Sequence, residues 1–492
     1  MFNYPSFYEI NTRIWINRFN TNEKKARLID VPLEYWKSLK ELGIDYVWLM
    51  GIWKTCPTTI NKYCFEDGLQ KSYSKALRDW SREDIIGSPY SIDSYEINPS
   101  IATADEFTSV RNTLNSIGLK VILDFIPNHF SADTSMLKSN REIFLEVDEL
   151  IYKNEQHTYF HPEIDEQKYF AHGRDPFFSA WQDTIQINYC SRTARHFMIQ
   201  TLKDISKICD GVRCDMAMLI LNNVFKNTWA GVINGYCKTE MQTEFWQEAI
   251  TGVKKIRNDF LFIAESYWDL EWSLQQQGFD YTYDKRLTDR LKQSSAKEIH
   301  DHLLAEMNYQ LRSLRFLENH DEERAVVEFG KEKSKAAAII ISTIPGARFY
   351  NDGQFEGRKI KLPLQLGREP QETVNEDLQK FYKKLLTITS QRIFKSGDWK
   401  LLKVNPSWEN NLSFNNILAW ELRFGSERRI VVVNYSSSTS TCRLMLDVVG
   451  YVEEFILLDL LNDVAYNRSA EEIYRLGLYV ELKPYQSHIF SL

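Results

Sequence analysis

The sequence predicts an α/β protein built on a (β/α)8 TIM barrel, with an inserted domain B after the third strand and a C-terminal antiparallel β-sandwich domain. Three observations carry this expectation. Short apolar runs recur up to about residue 393, each followed by a longer amphipathic or loop segment, as in parallel βα units. Polar and ionic residues gather at the C-terminal ends of those runs, where the active site of such a barrel lies. Beyond that point the pattern changes to alternating strands with Gly, Ser and Asn at the turns.

The strands can be taken in order. YEINTRIWI (8–16) reads as the first and DYVWLMGI (45–52) as the second, separated by the amphipathic VPLEYWKSLKELG, whose Gly43 sits where a helix C-cap belongs. KVILDFI (120–126) is the third, DGVRCDMAML (210–219) carries the fourth and FLFIAESY (260–267) the fifth. The sixth lies near FDYTYDK (279–285), the seventh is LRFLENH (314–320) and the eighth lies near ARFYND (347–352). Two connections, 53–95 and 130–189, are too long for minimal βα links and are expected to overhang one barrel mouth. The predicted layout is a barrel over 1–129 and 190–392, domain B over 130–189, and the β domain over 393–492.

Composition removes several classes of function. The chain of 492 residues carries a net charge of -7 and no Lys/Arg block able to track a phosphate backbone, so no nucleic-acid partner is expected. No run approaches 18 apolar residues and no basic leader precedes an apolar stretch, so the expectation is a cytoplasmic protein with no membrane association. Seven scattered Cys do not suggest a disulfide framework, and Cys209 and Cys214 read as buried thiols. Aromatics make up 13% of residues, with 13 Trp and 25 Tyr, which suits a neutral polar ligand whose flat faces stack on rings.

The charges inside the fourth strand set the chemistry. Strand side chains alternate, so Arg213 and Asp215 share one face while Val212, Cys214 and Met216 take the other. Strands of a parallel barrel are buried on both faces, so ionised groups there require partners or a task. Asp124, Asn128 and His129 follow the third strand, Glu265 the fifth, and His320 with Asp321 the seventh. Carboxylates and an arginine converging on one rim suit either a metal site or the acid and nucleophile of glycoside cleavage.

Four motifs in order then carry a resemblance. DFIPNH (124–129), GVRCDMA (211–217), FIAESYW (262–268) and FLENHDEER (316–324) resemble the four conserved regions of the α-amylase family of glycoside hydrolases, family 13. The resemblance implies a retaining α-glycosidase acting on α-glucans or maltooligosaccharides, with Asp215 as nucleophile, Glu265 as general acid and base, and Asp321 as the third carboxylate gripping the sugar. A retaining mechanism sets nucleophile and acid about 5 to 5.5 Å apart, and Arg213 beside Asp215 favours its anion. His129 and His320 match histidines that hydrogen-bond the sugar in the first subsite, and GSPYS (87–91) is similar to the segment that makes Tyr90 a stacking platform. A transglycosylase of the same family is the near alternative, and a catalytically inactive binding or scaffold member is a further one, opposed by the presence of all three carboxylates.

Departures from the family pattern accompany these matches. Many members place Lys-His three and four residues after the nucleophile, where this chain has Met218 and Leu219. Asn128 matches a family calcium ligand, but its domain B partners are not identifiable, so no cofactor is required and a structural calcium is left open. An Asp often stands four residues after the platform tyrosine; here that position is Ser94, with Asp93 one place earlier. His157 and His161 are read as a surface helix turn of domain B rather than a metal pair.

Overall fold

The computed structural model describes residues 4–164, 167–233, 237, 242–448 and 453–492. Its centre is a closed barrel of eight parallel strands: β1 (Ser6–Asn11), β2 (Tyr46–Met50), β3 (Lys120–Phe125), β4 (Gly211–Cys214), β5 (Leu261–Ala264), β6 (Tyr281–Tyr283), β7 (Ser313–Arg315) and β8 (Ala347–Asn351). Each pairs with its sequence neighbours and β8 returns to β1. Between and behind the strands run α1 (Leu33–Glu41), α2 (Ala104–Ser116), α3 (Arg192–Ile208), α4 (Phe245–Lys254), α5 (Glu271–Gln276), α6 (Lys285–Gln293), α7 (Lys331–Thr343) and α8 (Glu376–Thr389). Local chemistry fixes several helix starts. Thr103 and Glu106 form a capping box on α2, and the side chains of Ser191 and Asp284 cap α3 and α6. Gly43 closes the turn after α1 at φ +79°.

Strand alternation divides two cores. Phe7, Trp48, Ile122, Ile263, Leu314 and Phe349 pack together inside the barrel, while Tyr8, Val47, Leu123, Val212, Phe262 and Tyr350 face the helices. Two residues beyond an inward apolar residue, the inner face turns ionic: Glu9 follows Phe7, Asp124 follows Ile122, and Glu265 follows Ile263. In β4 the inward position before Arg213 is Gly211. A Cβ there would lie 2.6 Å from the Leu261 carbonyl oxygen, so only glycine lets β4 and β5 approach this closely. Arg213 is then in register with Asp124 on β3 and Ile263 on β5.

The long connections carry their own structure. In 53–95, a strand Trp53–Thr55 pairs with Ile92–Ile97 around helices Thr58–Tyr63 and Asp67–Ala76. The segment after β3 enters through His129–Ser131, which pairs antiparallel with Thr184–Gln186 on the way out, His129 opposite Gln186. Between them Glu146–Val147, Tyr169–Ala171 and Tyr159–Phe160 form a small sheet. The C-terminal region is a six-stranded antiparallel sheet and a three-stranded one, with Ala419, Ile430 and Val432 packed on Cys442, Leu444 and Val480 between them. No helix among the described residues is long and apolar enough to cross a membrane.

Two expectations need correction. Cys190, just before α3, and Cys237, beyond β4, form a disulfide, although Cys209 and Cys214 are buried thiols as read. The partners lie 47 positions apart and the fold alone brings them together. His157 and His161 do not share a helix, because the helix Glu149–Asn154 ends before them and His161 meets Tyr152 and Tyr169 edge-on.

Candidate active site

β4 ends at Cys214, and the chain leaves it through Met216 in the left-handed conformation, φ +40°. Such a conformation in a residue with a side chain costs about 1–3 kcal/mol and must be held by its surroundings. The Asp215 amide donates to Phe125 O on β3 (2.8 Å), and the Met216 amide donates to Glu265 Oε2 beyond β5 (2.7 Å). The turn after β4 therefore sets Asp215 at the rim and grips the carboxylate of the next strand.

Arg213 is the centre of the cluster and is 1% exposed. Its Nη1 donates to Asp215 Oδ1 at 2.7 Å and reaches Asp124 Oδ1 at 3.4 Å. Its Nη2 lies 2.7 Å from Glu265 Oε2, in ion-pair range but off the hydrogen-bonding direction. Trp48, Tyr90 and Tyr283 stand 5.0, 5.4 and 5.9 Å from the guanidinium carbon, a cage of rings around a desolvated cation. One cation thus serves three buried carboxylates, and they cannot all remain anionic at equal cost. Burial pushes Glu265 up to about 7, Arg213 opposing it and Asp215 adding to it. Burial likewise pushes Asp124 up to about 6 against Arg213 and the Trp48 Nε1–H bond. Asp215 is also raised by burial, with Arg213 pulling it back.

A second chain of groups crosses the barrel mouth. His320 presents Nδ1 to Glu9 Oε1 at 2.5 Å and Nε2 to Tyr90 Oη and Asp321 Oδ2 at 2.8 and 3.0 Å. Burial alone would lower His320, but Asp321 and Glu9 raise it well above the ordinary histidine value, which favours its imidazolium form. The protein surrounding the mouth pushes Asp321 up by desolvation, yet the adjacent protonated His320 outweighs it and brings the carboxyl down to about 2. The Asp321 side chain stays 44% exposed at the mouth, where Lys361 donates to its backbone carbonyl. His129 packs against Trp181 with ring centroids 5.3 Å apart, and burial lowers it to about 4, leaving it neutral.

The structure brings Asp215, Glu265, Arg213, Tyr90, His320 and Asp321 into one linked cluster, and sets His129 and Trp181 at the domain B side of the same rim. Sequence reasoning missed Glu9, Trp48, Tyr267 and Tyr283. Tyr267 Oη donates to Glu265 Oε1 at 2.9 Å. Glu9 had a signal: a carboxylate inside YEIN, two residues from Phe7 on the inward face. Asp93 turns elsewhere, pairing with Lys54 Nζ at 3.1 Å and accepting from the Ser135 amide at 2.7 Å.

The residues around Asn128 do not fit a calcium ion. Its backbone and side-chain oxygens both accept from the Gln186 side-chain amide, at 2.9 and 3.1 Å, so a proton-bearing nitrogen stands among the oxygens. Among the described residues, no group of three or more His, Cys, Asp or Glu could hold a metal.

A closed parallel barrel with a carboxylate-rich mouth, a long insertion after β3 and a C-terminal β domain defines the class of protein. The α-amylase catalytic-domain model matches residues 31–383, and the chain belongs to the α-amylase family. Alpha-amylase 3 of Dictyoglomus thermophilum is 25% identical over 296 residues, covering 56% of this chain and 55% of that protein. Alpha-amylase MalA of Haloarcula japonica is 24% identical over 371 residues, 72% of this chain and 48% of that protein. The chain therefore spans about half the length of these curated relatives. In fold it is similar to a noncanonic maltogenic alpha-amylase, AmyB, from Thermotoga neapolitana, with a TM-score of 0.69 and 19% identity over 99% of this chain and 98% of that one. It is also similar to an alpha-amylase from Geobacillus thermoleovorans solved with acarbose, with a TM-score of 0.66 and 17% identity over 99% and 98% of the two chains.

Proposed function

We propose that this protein hydrolyses α-glucosidic bonds of α-glucans or maltooligosaccharides with retention, through a covalent glycosyl-enzyme intermediate. The observation that carries the reading is the shared Arg213, which touches both Asp215 and Glu265 while burial pushes Glu265 up to about 7. In the first step an Asp215 oxygen attacks the anomeric carbon as Glu265 passes its proton to the departing glycosidic oxygen. In the second, Glu265 takes a proton from water, whose oxygen displaces Asp215 and frees the sugar. Asp321, held anionic by His320, would grip sugar hydroxyls as positive charge develops on the ring. Tyr90 would lie under the same sugar, with His320 donating and the neutral His129 donating or accepting at its rim. The alpha-amylase from Geobacillus thermoleovorans, similar in fold, was solved with acarbose, which agrees with a carbohydrate ligand for this chain.

The test is incubation of purified protein with maltose, a maltooligosaccharide ladder, sucrose and trehalose, separating products by length and reading the released anomer by NMR. Shorter products of retained configuration, with a fluorinated glycosyl donor trapped on Asp215, are expected. No reaction on any substrate and no trapping would overturn the reading. Transfer to a sugar acceptor is a second reading, favoured by the exposed ring of Phe177, which meets Trp268 in the loop after Glu265, and products longer than the substrate would reveal it.

A further inference from the structure

Gln186 is wholly buried in the strand Thr184–Gln186 that leads out of the insertion after β3. Its Nε2 lies 2.9 Å from Asn128 O, 3.1 Å from Asn128 Oδ1 and 3.0 Å from Ile187 O. Three oxygens from the entry and exit of the insertion thus converge on one buried point, and the Ile187 amide adds a bond to the same Asn128 carbonyl at 3.0 Å. An amide nitrogen has two protons, so three acceptors are met only by sharing one. The orientation is fixed by its surroundings, since the reversed amide would set Oε1 against three oxygens.

We propose that the Gln186 amide nitrogen stands where a cation would otherwise bind these oxygens, so that the join between the insertion and the barrel is closed by a neutral hydrogen-bond donor and the fold is independent of divalent cations. The chemistry of the site agrees. A calcium ion takes six to eight oxygens at about 2.3–2.6 Å, usually including carboxylates. Here the converging oxygens are all neutral amide or peptide carbonyls, and the partial positive charge of Nε2–H occupies their common focus. The consequence reaches the rim, because the Asn128 carbonyl that the amide holds immediately precedes His129, and Asn128 Nδ2 lies 3.4 Å from His129 Nδ1.

The experiment is thermal unfolding of the full chain in EDTA and in millimolar calcium, for the wild type and for Gln186→Glu. The wild-type midpoint is expected to be the same in both. The carboxylate of Gln186→Glu would meet three oxygens with no proton between them, so its midpoint should fall by several degrees in EDTA and recover in calcium. A wild-type midpoint that falls in EDTA and is restored by calcium would overturn the proposal. So would a Gln186→Glu protein that gains nothing from calcium or folds in neither condition, since the oxygens would then not form a cation-shaped cluster. The readout is unfolding alone, so its outcome is separate from that of the glycosidase reading.

Discussion

Glu9, in β1, and His320, beyond β7, meet through Oε1 and Nδ1 at 2.5 Å although 311 positions separate them in the chain. Both side chains are buried, and the pair at Nδ1 leaves Nε2 turned to Tyr90 and Asp321. Replacing Glu9 with Gln keeps the shape and removes one of the two charges that raise His320. The histidine should then titrate closer to its ordinary range, read as a shift of its ring signals in NMR spectra across pH. Because the ring also orients Asp321, kcat/KM on maltooligosaccharides should fall by about 10- to 100-fold, the scale of a small misplacement at a reacting centre. Unchanged ring titration in Glu9→Gln would show that Asp321 alone sets the charge.

Glu265 predicts the alkaline limb of the pH profile. The general acid proposed here must carry its proton, and burial pushes Glu265 up to about 7, so the rate should fall as pH rises through that value. In the proposed mechanism Asp215 attacks as an anion, so the rate should also fall on the acid side as Asp215 takes up its proton. Glu265→Gln should lose about 10²- to 10⁴-fold on substrates with poor leaving groups, retain activity on a glycosyl fluoride, and lose the alkaline limb. A variant that kept that limb would assign it to another group, with Asp124 at about 6 the next to examine.

The barrel was legible because its strands are apolar runs of the right length: six of the eight expected runs contain the observed strand, and β1 and β7 begin two residues and one residue before theirs. The central site was legible for a related reason: Arg213 and Asp215 interrupt such a run on one face, and the motifs around Glu265 and Asp321 sit at strand ends. What escaped notice depends on closure of the fold. Glu9 finds His320 only when β1 meets β8, Gln186 finds Asn128 only when the insertion returns, and neither contact leaves a local pattern. Arg213 was expected to serve Asp215; its reach to Glu265 follows from the register of β4 with β5.

The disulfide between Cys190 and Cys237 spans 47 positions, and closing a loop of that length stabilises the folded state by about 4 kcal/mol in a chain-entropy account. Reductant should therefore lower the unfolding midpoint of the wild type, and Cys237→Ala should show the same midpoint with or without it. Disulfides are rare in reducing compartments, so the bond and the expectation of a cytoplasmic protein predict different thiol counts for protein taken from a reducing cytoplasm. Alkylation followed by mass spectrometry distinguishes seven free thiols from five. A midpoint indifferent to reductant would remove the stabilising role.

Phe177 and Trp268 join the insertion to the loop that follows Glu265. Their ring centroids lie 4.9 Å apart at 72°, an edge-to-face contact. Phe177 and its neighbour Phe178 are 68% and 75% exposed, yet their turn is fixed: Asp175 Oδ1 accepts from both amides, at 2.6 and 2.9 Å. On the other side Trp268 and Asp269 are both left-handed, at φ +61° and +64°, so the backbone carries strain to present the indole. Apolar faces held open to water at some cost suit the C–H face of a sugar bound beyond the cleaved bond. Phe177→Ala should then raise KM for maltooligosaccharides by about 2- to 12-fold, equivalent to about 0.5–1.5 kcal/mol, and lower any transfer to sugar acceptors. Turnover of a small aryl glycoside, which has no sugar on that side, should not change. Loss of activity on the aryl glycoside to the same degree would mean that the ring supports the fold of the mouth rather than the acceptor.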